Sequence, residues 1–188
     1  MKVMKTIKEQ GNMPTIRFKT KLFKIGPWTL LVLPKSASVK LPSRGMTAVE
    51  GTINGFLIKT VLEPDGKGSH WFRIDKAMRE ATGADAGDTV TLEIEPTRKW
   101  PEPEMPADLK NALVAVPLAH NLWMEITTMA RWDWIRWIRA TKEPETRKRR
   151  IEVALSKLKA GERRPCCFNR NTCTEPHVSH NGVLLGPT

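Results

Sequence analysis

The chain has 188 residues, 27% of them charged and 40% hydrophobic, with a formal net charge of +11. That length suits one large or two small domains with a real core, and the composition is ordinary for a globular protein. No apolar run reaches the ~18 residues of a membrane span, and the start Met1-Lys2-Val3-Met4-Lys5 leads into charge rather than an apolar leader. Three cysteines, two of them adjacent, make a poor disulfide framework, so the expected compartment is reducing and cytoplasmic.

Residues 1–14 read as a basic extension. Residues 15–96 read as β structure. Thr15–Phe23, Thr29–Leu33, Ala48–Ile53, Leu57–Leu62, Trp71–Ile74 and Thr89–Ile94 are rich in β-branched or aromatic residues. Gly26-Pro27, Asn54-Gly55, Pro64-Asp65-Gly66 and Ala86-Gly87-Asp88 punctuate them, and Asn54-Gly55 suits a two-residue hairpin turn. A faint repeat relates Leu33-Pro34-Lys35 through Val49 to Ile74-Asp75-Lys76 through Val90, at an offset of 41 to 42 residues. Two such β units can close on each other and hide their open edges, which predicts a small closed barrel with an approximate twofold.

Four prolines between Glu95 and Met105–Pro106 exclude a helix or central strand there. Residues 97–106 therefore read as a linker or an extended edge segment. Residues 107–161 read as a helical domain. Pro106 precedes the helix that starts near Asp108, Ala130–Ala140 forms a second, and Pro144–Ala160 a third that ends at Gly161. Residues 162–188 form a cysteine-containing tail. The fold class is thus α+β, a small β-barrel followed by a short helical domain.

Several of these segments resemble one known family. Trp28-Thr29-Leu30-Leu31-Val32-Leu33-Pro34, Val49-Glu50-Gly51-Thr52-Ile53-Asn54-Gly55 and Ala86-Gly87-Asp88-Thr89-Val90 look like the N-terminal part of the YdeI/OmpD-associated proteins, also labelled bacteriocin-protection proteins. Trp137-Ile138, Thr141-Lys142, Glu145 through Ile151, and Arg163-Arg164-Pro165-Cys166-Cys167-Phe168 resemble the C-terminal part. The resemblance implies an AbrB-like double-split barrel with both halves in one chain, and a bacterial role in stress or antimicrobial tolerance. Fold alone does not give function.

The four histidines, His70, His120, His177 and His180, sit in no nucleophile motif, and Walker, dinucleotide and zincin motifs are absent. The reading leans to a non-enzymatic accessory protein. Charge is clustered: residues 1–24 hold seven Lys/Arg against one Glu, and residues 131–164 hold twelve Lys/Arg against five Asp/Glu. A nucleic-acid partner is the alternative this suggests. It is not favoured, because Gly26–Pro96 carries eight Lys/Arg against nine Asp/Glu. In the run Arg147–Arg150, Arg147 falls about 40° from the apolar centre at Ile151 and Arg149 about 160° from it, so Arg147 reads as structural and Arg149 as solvated.

Two candidate sites follow. Trp132, Arg136 and Arg139 form one stripe at i, i+4 and i+7, able to stack and charge-pair with an anionic or aromatic ligand. The alternative for Trp132 is packing against the barrel or tail. The second site is Cys166, Cys167 and Cys173 with His177, open to three readings: buried packing, metal binding or redox chemistry. No cofactor is predicted, and zinc is not favoured by the spacing. Cys166 and Cys167 are expected to be reduced, with at least one buried as the tail folds back. A monomer is expected.

Overall fold

A computed structural model describes residues 13–188. Residues 1–12, most of the basic extension, lie outside the described residues. Seven strands form one antiparallel sheet: β1 (Ile16–Lys21), β2 (Phe23–Ile25), β3 (Trp28–Val32), β4 (Thr47–Ile53), β5 (Phe56–Pro64), β6 (His70–Ile74) and β7 (Thr89–Pro96). Their spatial order is β1-β7-β4-β5-β6-β3-β2. In β1 the pleat sends Ile16 and Phe18 to the core and Arg17, Lys19 and Lys21 to solvent. The β4–β5 hairpin turns at Asn54-Gly55, both at positive φ (46° and 81°), as that dipeptide requires.

Six of these strands fall on the expected runs, but the run Thr15–Phe23 breaks at Leu22 and β2 is an added strand, and the expected closed barrel is an open half-barrel. Its ends are β1 and β2, which do not pair. These two strands are consecutive in the chain. They are joined at Leu22, whose backbone is held instead by Asp88 O and Gly87 N. The join turns them apart rather than zipping them together. A side-chain bond from Thr20 Oγ1 to Val32 O (2.8 Å) links β1 to β3 across the gap. The free edge of β2 is covered by the C-terminus, where Thr188 N donates to Lys24 O at 3.0 Å.

Two short helices, α1 (Lys35–Ser38) and α2 (Lys76–Thr82), follow β3 and β6. Asp75 caps α2 by accepting from Met78 N at 2.8 Å. The sheet core is Leu31, Leu33, Val49, Ile53, Leu62, Phe72, Ile74, Val90, Leu92 and Ile94, all essentially buried. Beside it His70 is fully buried, with Nε2 2.8 Å from Gly45 O and Nδ1 2.7 Å from Ser38 Oγ. The ring donates to the carbonyl and accepts from the hydroxyl. Burial pulls its pKa below the ordinary histidine value, so it stays neutral.

Four helices follow the proline-rich segment: α3 (Ala107–Val114), α4 (Pro117–Glu125), α5 (Thr128–Arg139) and α6 (Pro144–Lys159). Three match the helices singled out from sequence, and α4 adds a fourth within the same stretch. Their shared core includes Leu109, Leu113, Ala119, Trp123, Trp134, Ile138, Ala154 and Leu158. Arg147 joins α6 to α3 through a bidentate pair with Asp108 (2.7 and 3.0 Å), while Arg149 is exposed. The chain then returns to the sheet. A small hairpin, β8 (Ser179–His180) and β9 (Val183–Leu184), lies against the β5–β6 turn, with Leu184 N donating to Asp65 O at 2.8 Å. Ile25, Leu30, Trp71, Cys173, Val178 and Leu184 form the apolar cluster beneath it. No helix among the described residues is long and apolar enough to cross a membrane.

Candidate functional site

β5 explains how a carboxylate comes to lie between the sheet and the helices. Its first part pairs with β4, and its last two residues switch to β6 (Glu63↔Trp71, Pro64↔His70). Val61 through Pro64 are buried without alternation, since both faces of the strand are covered there. Glu63 therefore points out of the sheet into protein rather than water.

Helix α5 meets it. Thr127 caps the helix by accepting from Ala130 N (3.2 Å). Arg136 is wholly buried, and its Nε lies 3.2 Å from Glu63 Oε1. Arg139 also bonds Glu63 Oε1 and lies 3.7 Å from Glu175 Oε2. Arg136 further donates to Thr174 Oγ1 (3.3 Å) and Thr172 O (3.0 Å), and its guanidinium sits 5.3 Å from the centre of the Phe168 ring. Burial draws the Arg136 pKa down and Glu63 opposes that. One turn back, Asp133 is buried with Arg170 Nε at 3.3 Å and Arg164 Nη1 at 3.5 Å from Oδ2. Burial raises the Asp133 pKa, with Arg170, Arg164 and Arg136 pulling the other way. The result is a buried ionic latch. It ties the sheet (Glu63), α5 (Asp133, Arg136, Arg139) and the tail (Arg164, Arg170, Glu175) into one network.

The three residues of the expected ligand stripe do not share an open face. Trp132 packs with Trp100 against Met46, Ala48 and Val61 of the sheet, and its Nε1 donates to Pro101 O at 2.8 Å. Arg136 and Arg139 point into the latch. The helix has Asp133, Trp134, Ile135, Arg136 and Ile138 all buried, because the sheet and the tail cover the side opposite its helical neighbours.

The tail residues are also divided. Cys166 and Cys167 are exposed, against the expectation that one is buried, and the buried cysteine is Cys173. The segment Arg163–Phe168 runs along the surface of the helical layer, whereas Cys173 enters the cluster under β8–β9. His177 lies beside Trp28, the rings tilted 40° to each other with centroids 6.2 Å apart. Among the described residues no three of His, Cys, Asp or Glu converge as metal ligands. The Cys167 pKa is raised, first by its hydrogen bond with Cys166 and then by that neighbour's charge, and that of Cys173 is raised by burial.

Residues 17–94 match the family model described as a domain of unknown function (DUF1905). Residues 102–161 match the model described as "Bacteriocin-protection, YdeI or OmpD-Associated". Residues 102–161 thus carry the YdeI/OmpD-associated region that the sequence resemblance implied. No curated protein matches the chain. The two matched regions meet at Glu63 on one side and Arg136 and Arg139 on the other. Sequence reasoning missed Glu63, Asp133 and Glu175. The available signal was a lone Glu in the apolar run Thr60-Val61-Leu62 and a lone Asp among tryptophans in Trp132-Asp133-Trp134, both of which demand a buried cation.

Proposed function

We propose that this chain is a non-enzymatic accessory protein that supports bacterial tolerance of stress or bacteriocins, acting by binding. The observation that carries this reading is the use of the polar side chains on α5. Arg136, Arg139 and Asp133 are engaged by Glu63, Glu175, Arg164 and Arg170, so they serve architecture rather than chemistry. Two surface depressions are wide open to solvent. One is lined by Glu50, Leu57, Lys59 and Glu95, the other by Lys76, Arg79, Glu80 and Asp85. A reducing, cytoplasmic setting suits two exposed free thiols. The pairing of β3 with β6 and of β4 with β7 supports an AbrB-like, double-split ancestry with an approximate twofold, now opened at β1 and β2. It also supports dividing the chain into a β domain up to residue 96 and a helical domain after residue 106.

The test is deletion of the gene in a host that carries it, followed by bacteriocin challenge. The expected outcome is several-fold lower survival, restored by the wild-type chain. Unchanged survival overturns the reading. The nucleic-acid alternative is checked on the purified protein. An absorbance excess at 260 nm that disappears in high salt would favour it.

A further inference from the structure

His70 is a buried titratable group that the ionic latch does not use, and it sits where two segments carry the tail. Its Nε2 donates to Gly45 O at 2.8 Å, and its Nδ1 accepts from Ser38 Oγ at 2.7 Å. Ser38 is itself fully buried, and Arg44 binds the same residue, donating from Nη2 to Ser38 O at 2.6 Å and from Nη1 to Ser38 Oγ at 3.5 Å. The ring therefore pins the loop between α1 and β4 to the start of β6. That loop touches the tail, since a Cβ at Gly45 would stand 3.4 Å from both Arg170 O and Asn171 Oδ1. The turn before His70 carries the other end of the tail. Asp65 N donates to Ser69 O at 3.0 Å, and Asp65 O accepts from Leu184 N at 2.8 Å.

From this arrangement we propose that His70 is an acid-operated pin, whose protonation frees the α1–β4 loop and lets the C-terminal tail lift from the sheet. A neutral ring fits the site with both nitrogens satisfied. A protonated ring does not, because its new Nδ1–H meets a hydroxyl whose own proton points at it. Ser38 would have to turn, and Arg44 Nη1 already occupies the other approach to Oγ. The charged groups facing the ring are Arg44 on the loop and Asp65 on the turn. Asp65 is a poor counter-charge, since its Oδ1 is taken by Lys67 N (2.7 Å) and Ser69 N (2.9 Å). Burial lowers the folded pKa of the ring, the Gly45 carbonyl and Asp65 oppose this, and Arg44 adds to it. With the loop open the ring regains water and its ordinary value of about 6.5. The open form thus binds more protons between the two values. The closed form keeps its full advantage above about pH 6.5 and loses up to about tenfold per pH unit as pH falls toward the folded value. Lifting the tail uncovers Cys173 and, on the sheet, Leu30 and Trp71.

The test uses the purified full chain and 4,4′-dithiodipyridine, a thiol reagent that reacts in acid as well as at neutral pH. Labelling is followed at each cysteine by peptide mass spectrometry from about pH 7 to about pH 5, across the ordinary histidine value. Exposed Cys166 and Cys167 report the reagent's own pH dependence, so the readout is the rate at Cys173 relative to theirs. That ratio should rise several-fold as pH falls, with the far-UV spectrum unchanged. His70→Gln keeps a donor for Gly45 O and takes up no proton, and its ratio should stay level. Asp133 acts on the tail in the opposite sense, but equally in both proteins, so the comparison cancels it. Should His70→Gln fail to fold, imidazole NMR of the wild-type chain decides. His70 should then take its proton below the ordinary value, over the same interval in which Cys173 becomes labelled. A level ratio in the wild type, an equal rise in His70→Gln, or a ring that titrates while Cys173 stays protected overturns the switch. Survival under bacteriocin is independent of this outcome, so either proposal can fail alone.

Discussion

Asp133 shows how one residue's surroundings become a pH dependence. Its pKa is raised in the fold because burial outweighs the attraction of Arg170, Arg164 and Arg136. Oδ2 is buried and lacks a hydrogen bond, although two guanidinium groups lie within ion-pair distance. A carboxyl whose folded pKa exceeds its unfolded value binds more protons folded than unfolded across the interval between them. Stability therefore falls as pH rises from about 4, the unfolded value, through the raised folded value, and is level above it. Asp133→Asn removes the titration while keeping the shape. The variant should equal the wild type at pH 3 to 4 in its Asp133-linked stability. It should not show the wild type's decline over the next units, and should be at least as stable at pH 7. Urea denaturation of both proteins across that range checks this, and a steeper decline in the variant would contradict it. Arg147, by contrast, was legible from the sequence, since helical geometry alone put it beside the apolar face. Arg136 was not. Its burial comes from Glu63 and Thr172–Thr174, which are far away in the chain and invisible to a helical wheel.

At the scale of elements, hairpin β8–β9 rests on one glycine contact. Gly66 in the β5–β6 turn has φ 77°, and a Cβ there would stand 2.1 Å from Gly182 O, a backbone atom that cannot swing away. Gly66→Ala should lift the hairpin, break the bond from Leu184 N to Asp65 O and open the cluster around Cys173. In native buffer the wild-type chain should label two thiols fast and one slowly. The variant should label all three fast, with the far-UV spectrum nearly unchanged. A slow third thiol in the variant would show that the hairpin accommodates the methyl group. The strands were readable from sequence because each carries its own pattern and turn, as Asn54-Gly55 does. Closure was not readable, because it depends on whether β1 and β2 find each other after the turn at Leu22. The tail's fold was hidden for a related reason. Its few apolar residues, Val178 and Leu184 among them, have no period of their own and pack only because β3 and β6 present Leu30 and Trp71.

At the scale of the molecule, sheet and helices on either side of the proline-rich segment are held together through Trp100 and Trp132 on Met46, Ala48 and Val61, and through Glu63 on Arg136 and Arg139. An interface holding a buried charge resists partial opening, since separating the parts would strand Arg136 without its carboxylate. The full chain is therefore expected to unfold in one transition. Far-UV circular dichroism follows mainly the helices. Fluorescence of a variant keeping only Trp28 and Trp71, the two tryptophans on sheet strands, follows the sheet. The two midpoints should coincide. Glu63→Ala should lower stability by about 3–5 kcal/mol, the usual result of removing one partner of a buried pair. Glu63→Gln retains a hydrogen-bond acceptor for Arg136 and should cost less. If the two signals already separate in the parent chain, the latch does not couple the parts. If Glu63→Ala leaves both midpoints in place, the carboxylate is reached by water and the latch is not a closed network.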